Sequence, residues 1–256
     1  MKLTIGYSTL VARLGNIKLP DLTSYPDWDV LITVQSGNDS EPQLTKAPSG
    51  VTVLGFRGSG VTKIRNQVIE NAKGDYLIFA DDDVTFNLPE IAKAIEHIDK
   101  NNLALLLGQA VDETGKLRKR YPSGVRQLDK LNSAKAATYE MVVDLKKIRS
   151  AGIRFDENFG AGAPVTYLGD EYIFICDLID AGLKAEFAPL TLAIHPKDSS
   201  GSGWGTAADR KARGLIFDRA FRGNRTMPYL ARIGFGARKL GKQLSFADYI
   251  RFIFKK

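Results

Sequence analysis

Three consecutive acids, Asp81-Asp82-Asp83, follow directly on an apolar run, Tyr76-Leu77-Ile78-Phe79-Ala80. Adjacent carboxylates repel one another and favour a cation between them. Hard divalent ions such as Mg2+ or Mn2+ suit carboxylate oxygens and bridge readily to substrate phosphates. The chemistry this suggests is a metal–diphosphate site on Asp81 and Asp83; the plainer reading is a solvated acidic loop. A second acidic pair, Asp170-Glu171, opens an otherwise apolar segment. Carboxylates at a helix start interact favourably with the helix dipole, and at a buried helix end one of them would also serve as a pocket-facing base. Arg65 falls in the middle of an apolar helical stripe formed by Val61, Ile64, Val68, Ile69 and Ala72, and a buried arginine must be paired. It reads either as a structural salt bridge or as an arginine reaching a nucleotide or the acids of the next strand. Trp204 sits in a Ser/Gly-rich stretch, residues 199–205. There it reads as a lid or sugar-stacking residue, or equally as an anchor holding the loop to the core.

Periodicity supplies the elements that must hold these side chains. The apolar run before the three acids, preceded by Gly74, predicts a buried strand with the acids at its carboxyl end. In open α/β sheets that is where ligands bind. Strands are further expected over residues 3–8, 29–34, 51–56, 103–109 and 137–143, and extended chain over 185–195. Helices are expected over about 61–72, 88–97, a short stretch ending at 151–152, and 170–181. The alternation argues for an α/β fold with a mostly parallel sheet and helices on both faces. Gly58 and Gly60 would let backbone amides approach phosphate at a helix start, but a dinucleotide fingerprint needs a third Gly at 63, where this chain has Lys63. Residues 112–130 form a basic, turn-rich excursion, read as a solvated loop or as part of an acceptor site.

The 256 residues carry a net charge of +7 with 44% hydrophobic content, a soluble globular composition. The charge is uneven. From Arg210 to Lys256 thirteen Lys and Arg stand against two acids, Asp218 and Asp248, while residues 1–209 are mildly acidic. The basic part also carries Leu215, Phe217, Phe221, Leu230, Ile233, Phe235, Phe246, Ile250, Phe252 and Phe254, a pattern of two or three amphipathic helices packed on the domain or lying at a membrane surface. It suits anionic lipid, a polyanionic acceptor or nucleic acid. Cys176 is the sole cysteine, so no intrachain disulfide forms and a core position is expected. No secretory leader or membrane-length apolar run is visible, which points to the cytoplasm. A boundary near the Ser/Gly stretch gives a domain over 1–205 and a basic helical extension over 206–256.

Three blocks of this chain resemble, in order and spacing, family 2 glycosyltransferases of the GT-A fold. The first runs from Gly60-Val61-Thr62-Lys63-Ile64-Arg65-Asn66 through Gly74-Asp75-Tyr76 to Asp81-Asp82-Asp83, like the family's Arg-Asn helix and DxD strand. The second is Phe155-Asp156-Glu157-Asn158-Phe159-Gly160. The third is Gly169-Asp170-Glu171 with its apolar helix, Ala181-Gly182 and Ala188-Pro189. The resemblance covers about residues 1–205 and implies a Rossmann-like GT-A sheet with a nucleotide-diphosphate sugar as donor, UDP favoured. It implies Mn2+ or Mg2+ held by Asp83, with Asp81 against the ribose or in the metal shell and His195 on the metal or diphosphate. Arg65, Asp81, Asp82, Ser8 and the loop around Asp39 would contact the nucleotide sugar, while His97 would be a surface residue. The family carries Glu-Asp where this chain has Asp170-Glu171. Counting back from Ala181-Gly182 puts Glu171 at the base position with Asp170 beside it, and either carboxylate can do the chemistry.

The implied reaction is direct displacement with inversion onto a hydroxyl of a saccharide or lipid-linked acceptor. The implied setting is bacterial surface polysaccharide synthesis at the inner face of the plasma membrane, with peripheral contact to anionic lipid through the basic C-terminus and no nucleic acid. The alternative is a non-catalytic nucleotide-sugar or polysaccharide-binding protein with a degenerate base. A sugar-nucleotide pyrophosphorylase would carry a Gly-rich, Arg-containing loop after its first strand, where this chain has Ser8-Thr9-Leu10-Val11-Ala12-Arg13. An aspartyl-nucleophile phosphatase would carry its acids there, and they are absent.

Overall fold

A computed structural model describes residues 1–38, 40, 42, 50–196, 206–241 and 243–254. Its first half builds β1 (Leu3–Leu10), β2 (Trp28–Gln35), β3 (Val51–Phe56), α1 (Val61–Asn71), β4 (Tyr76–Ala80), β5 (Thr85–Phe86) and α2 (Leu88–Asn101). Then come β6 (Leu105–Val111), β7 (Arg126–Gln127), β8 (Met141–Asp144), α3 (Leu145–Ser150), α4 (Asp170–Asp180) and β9 (Ala185–Ile194). The chain ends in α5 (Ala207–Ala220), α6 (Met227–Ala237) and α7 (Phe246–Phe254). Among the described residues the strands join one sheet in the order β3-β2-β1-β4-β8-β6-β9-β5, with β7 on β9. β3, β2, β1 and β4 are mutually parallel, β8 runs antiparallel between β4 and β6, and β6 and β9 are parallel.

Each central strand is apolar on both faces because both faces are covered. Leu77 and Phe79 of β4 point into a core closed by α1, α3 and α4 through Val68, Ile148, Phe174 and Ile175. Tyr76, Ile78 and Ala80 point the other way, onto Ile91, Ala94, Ile95 and Ile98 of α2. The period of two along the strand therefore selects the layer each side chain joins. Full burial of a side chain such as Phe79 or Phe174 contributes about 2 kcal/mol. On β1, Gly6 is where α1 comes closest: a Cβ there would stand 2.2 Å from Val68 Cγ1 and 2.9 Å from Leu77 Cδ1.

The structure corrects several sequence expectations. Residues 138–140 form a single 3-10 turn, and only Met141–Asp144 is strand. The Thr138 and Glu140 side chains of that turn are buried, which imitates strand periodicity in a short window. The extended chain near 185–195 is one long strand with register shifts against β6, and the basic excursion returns to the sheet through β7. His97 is not a free surface residue: its Nε2 lies 2.8 Å from Glu186 Oε2, tying α2 to β9. Cys176 is fully buried, as expected.

The basic extension packs on the domain. Ile216, Ala220 and Phe221 join Phe159, Tyr172, Ile173 and Cys176 in one cluster. Arg219 of α5 makes a two-pronged bond to Asp177 of α4 at 2.8 and 2.7 Å, and reaches Asp156 at 2.6 Å. Phe217, Phe235 and Phe252 then meet edge to face or tilted, joining α5, α6 and α7. The expected boundary near 205 lies outside the described residues. No helix among the described residues is long and apolar enough to cross a membrane.

Candidate active site

The parallel strands β1 and β4 end side by side, so Ser8, Thr9 and the three acids share the carboxyl edge of the sheet. The three acids do different things there. Asp81 and Asp83 keep about a third of their side chains accessible, 32% and 34%. Asp82 is turned inward: Thr9 donates its hydroxyl to Oδ2 at 2.7 Å, and Arg13 pairs with Oδ1 at 2.6 Å. Burial pushes the Asp82 pKa up, while the Thr9 hydrogen bond and the Arg13 charge pull it back. Asp82 thus braces the acidic turn against the first strand. Its braces, Thr9 and Arg13, carried no signal in the sequence beyond their place after β1.

Arg65 takes the acid-pairing role. It is 5% exposed. Nη2 holds Asp81 Oδ1 at 3.0 Å, Nη1 holds Asp170 Oδ2 at 2.5 Å, and Glu171 Oε1 stands 3.8 Å from Nη1. The guanidinium also lies 5.7 Å from the centre of the Phe155 ring. Both faces of its fork are committed to protein carboxylates, so Arg65 binds the DxD turn to the start of α4. Asn66, the next residue, fixes the loop that leads there, exchanging hydrogen bonds with the backbone of Phe155 at 2.9 and 3.0 Å.

Asp170 and Glu171 begin α4 after Gly169, whose φ of +95° is left-handed and at which a Cβ would stand 2.6 Å from the Ile216 side chain. Asp170 is 5% exposed and occupied by Arg65. Glu171 keeps 22% of its side chain accessible and accepts a 3.3 Å hydrogen bond from Thr138 Oγ1. Burial and the neighbouring Asp170 carboxylate drive the Glu171 pKa up, to about 8, against the opposing pull of Arg65. A partly accessible carboxylate whose pKa is raised has the properties of a general base.

On the other side of the turn, His195 Nε2 faces Asp83 Oδ1 at 3.6 Å. The ring stacks on Tyr139 at 4.7 Å between centroids, and Nδ1 lies 2.8 Å from the Pro196 carbonyl oxygen. A carbonyl only accepts, so Nδ1 donates to it and Nε2 is the nitrogen turned toward Asp83. Ligand atoms each about 2.1 Å from one octahedral ion stand about 3.0 Å apart when adjacent and about 4.2 Å when opposite, so the 3.6 Å Asp83–His195 pair would close by about 0.6 Å to hold one ion on adjacent positions. An imidazole nitrogen beside a carboxylate is a donor set that fits a divalent ion. No group of three or more candidate ligands occurs among the described residues. Mg2+ is usually held by one or two carboxylates, with waters and substrate phosphates completing the shell.

Ser8 ends 8% exposed in register with Thr33 of β2, and its buried hydroxyl has no hydrogen-bond partner among the described residues. Asp39 and Trp204 lie outside the described residues. At the start of α1 the Val61 N–H is given to the Ala161 carbonyl at 2.9 Å. Thr138 and Tyr139 are the site residues the sequence did not flag, because neither type nor spacing marks them.

A family model described as glycosyl transferase family 2 matches residues 10–148, more than half of the chain. No curated protein matches the chain in sequence. Among solved structures, S. aureus TarS 1-349 in complex with UDP-GlcNAc is similar with a TM-score of 0.60 and 13% identity, over 99% of this chain and 82% of that one. TarS 1-349 in complex with UDP gives 0.58 and 14% over 93% and 72%. A longer S. aureus TarS structure gives 0.59 and 13% over 95% of this chain and 44% of that one, so the present chain spans less than half its length. At these identities the likeness is one of fold, and it agrees with the GT-A sheet order.

Proposed function

The chain belongs to glycosyl transferase family 2, and from that premise we propose that it moves a sugar from a UDP-sugar to an acceptor hydroxyl with inversion at the anomeric carbon. The observation that carries this reading is the division of labour between the two acids of α4: Arg65 occupies Asp170 and leaves Glu171 accessible. Glu171 takes the acceptor proton, and Thr138 holds the carboxylate oriented. The oxygen so freed attacks from the face opposite the leaving diphosphate, which is why the product is inverted. Asp83 and His195 would hold Mn2+ or Mg2+, which when bound neutralises charge developing on the leaving diphosphate. Asp81, pinned by Arg65, lines the donor side, and Ser8 offers its free hydroxyl to the nucleotide.

A UDP-bearing donor is also what the similar TarS structures contain. A cytoplasmic enzyme of bacterial surface polysaccharide synthesis, peripheral at the inner membrane face, suits the last two helices. Leu230, Phe246 and Phe254 are exposed there, on the part of the chain with the basic excess, a combination that favours anionic lipid. The non-catalytic alternative predicts donor binding without turnover.

The test is a thermal-shift series with nucleoside diphosphates and their sugars, with and without Mn2+. At a hundredfold excess over Kd a ligand specific to the native state adds about 2.7 kcal/mol. A UDP shift that needs Mn2+ and disappears in Asp83→Ala is expected, together with donor hydrolysis that Glu171→Ala abolishes. Product NMR showing retention, or a metal-independent shift, refutes the reading.

A further inference from the structure

We infer that the basic cleft beside the 138–140 turn is an acceptor subsite for phosphate groups, so that the acceptor is a phosphate-bearing chain. The inference rests on the glycosyltransferase reading of the neighbouring site and names its acceptor chemistry.

The cleft has a volume of about 610 Å3 and is lined by residues of the basic excursion together with Leu107 of β6 and Phe187 of β9. Its floor is aromatic: Tyr121 stacks on Phe187 at 6.1 Å with planes 14° apart. Four cations, Lys119, Arg120, Arg126 and Lys135, stand around it, and no acid is among its lining residues. Lys119 is used internally. Its ammonium meets Glu140 Oε2 at 2.6 Å and the Lys135 carbonyl, and lies 5.3 Å from the centre of the Tyr121 ring. Glu140 is fully buried and also accepts from the Tyr121 hydroxyl at 2.5 Å, so this acid is neutralised within the wall. Arg120, Arg126 and Lys135 have no ion-pair partner among the described residues. Like charges gathered without counter-charges on a concave surface raise the local concentration of anions.

The cleft and the base share a wall. Thr138 bonds Glu171, Tyr139 stacks on His195, and Glu140 anchors Lys119 and Tyr121. Three consecutive residues thus contact the base, the expected metal ligand and two residues of the cleft wall, Lys119 and Tyr121, in turn. An acceptor whose hydroxyl reaches Glu171 would pass this turn on its way to the cations. A neutral saccharide would use the aromatic floor but would leave three charges unmatched; phosphate oxyanions match both their sign and the forked donors of the two arginines.

The experiment uses the full chain in EDTA with sodium tripolyphosphate as probe, read by calorimetry. Without a divalent ion the donor site loses its diphosphate anchor, which leaves the cleft to bind the probe. Wild-type protein binds, with affinity falling as salt rises. Loss of three exposed charge contacts in R120A/R126A/K135A weakens binding about tenfold, and a charge-matched K73A/K100A/K146A variant, altered near the opposite edge of the sheet, keeps it. Metal-dependent donor hydrolysis persists in the cleft variant, so failure of the glycosyltransferase reading shows in hydrolysis and failure of the subsite shows in tripolyphosphate binding. Equal weakening in both triple variants overturns the assignment, because it would reflect net charge alone. So does a cleft variant that keeps tripolyphosphate but loses phosphatidylglycerol vesicles, which would make the ligand a lipid headgroup.

Discussion

Arg65 and Asp170 meet at 2.5 Å across 105 residues of sequence, and the same guanidinium holds Asp81 at 3.0 Å. One cation therefore sets the distance between the DxD turn and the start of α4. The pair also separates two adjacent carboxylates into a fixed, paired acid and an accessible one.

Glu171→Gln removes the base but keeps the shape. Turnover is expected to fall by about a hundredfold or more, within the range for a lost general base, with donor affinity and melting temperature nearly unchanged. Asp170→Asn acts differently. It leaves the Arg65 charge short of its closest partner in a buried place, so a stability loss of about 3 kcal/mol is expected, along with a smaller drop in kcat. Measuring both kcat and urea midpoints in the two variants separates the roles. If Asp170→Asn proves the more severe for kcat while staying stable, the base assignment moves to Asp170.

The acid limb of the pH profile gives an independent reading. Glu171 accepts a proton only when it is ionised. Its pKa is raised above the usual carboxylate range by burial and by Asp170, so kcat rises with pH across neutral pH and falls about tenfold per unit below the Glu171 pKa. An ordinary carboxylate would leave kcat flat from pH 6 upward. In Asp170→Asn the repelling charge is gone, so the Glu171 pKa drops and the acid limb moves to lower pH. A limb that stays in place in that variant would show that Asp170 does not tune the base.

Much of this was legible before any coordinates. β4 and its acids follow from an apolar run that ends abruptly in charge, and Arg65 announced itself by interrupting the α1 stripe. Glu171 could be placed only as one of a pair, because adjacent positions on a helix differ by orientation, and orientation depends on what Arg65 pairs with 105 residues away. Asp82 looked equivalent to its neighbours, yet Thr9 and Arg13 turn it inward. Thr138 and Tyr139 were hidden for a related reason: a 3-10 turn flanked by buried residues reads as strand, and its contacts to Glu171 and His195 are wholly tertiary. Chain-local patterns fix burial; long-range pairing decides which polar groups stay open.

Arg219 is the latch of the C-terminal helices. Its side chain is 18% exposed and bonds both Asp177 and Asp156. Its attraction to Asp177 and Asp156 holds the guanidinium firmly protonated, with a pKa raised above its usual range. Arg219→Ala leaves two acids of a partly buried cluster facing each other, with Arg222 at 3.2 Å as the remaining counter-charge to Asp177. A loss of about 2 kcal/mol is expected, below the range for a fully buried pair. The more specific sign is local: limited proteolysis should attack the C-terminal helices sooner than in the wild type, while Arg222→Ala, more exposed, changes little.

Tyr139 orients His195 by its face, so ring shape should matter and the hydroxyl should not. In Tyr139→Phe the 4.7 Å stack survives, and Mn2+-dependent UDP stabilisation is expected to match the wild type. In Tyr139→Ala the imidazole keeps its Pro196 bond but gains freedom to swing from Asp83, so Mn2+ affinity should fall by about tenfold, the lower end for loss of a supporting group around a metal. Titrating Mn2+ at fixed UDP and following the melting temperature reads this without turnover. Equal Mn2+ dependence in all three proteins would mean that the Pro196 hydrogen bond alone fixes the ring.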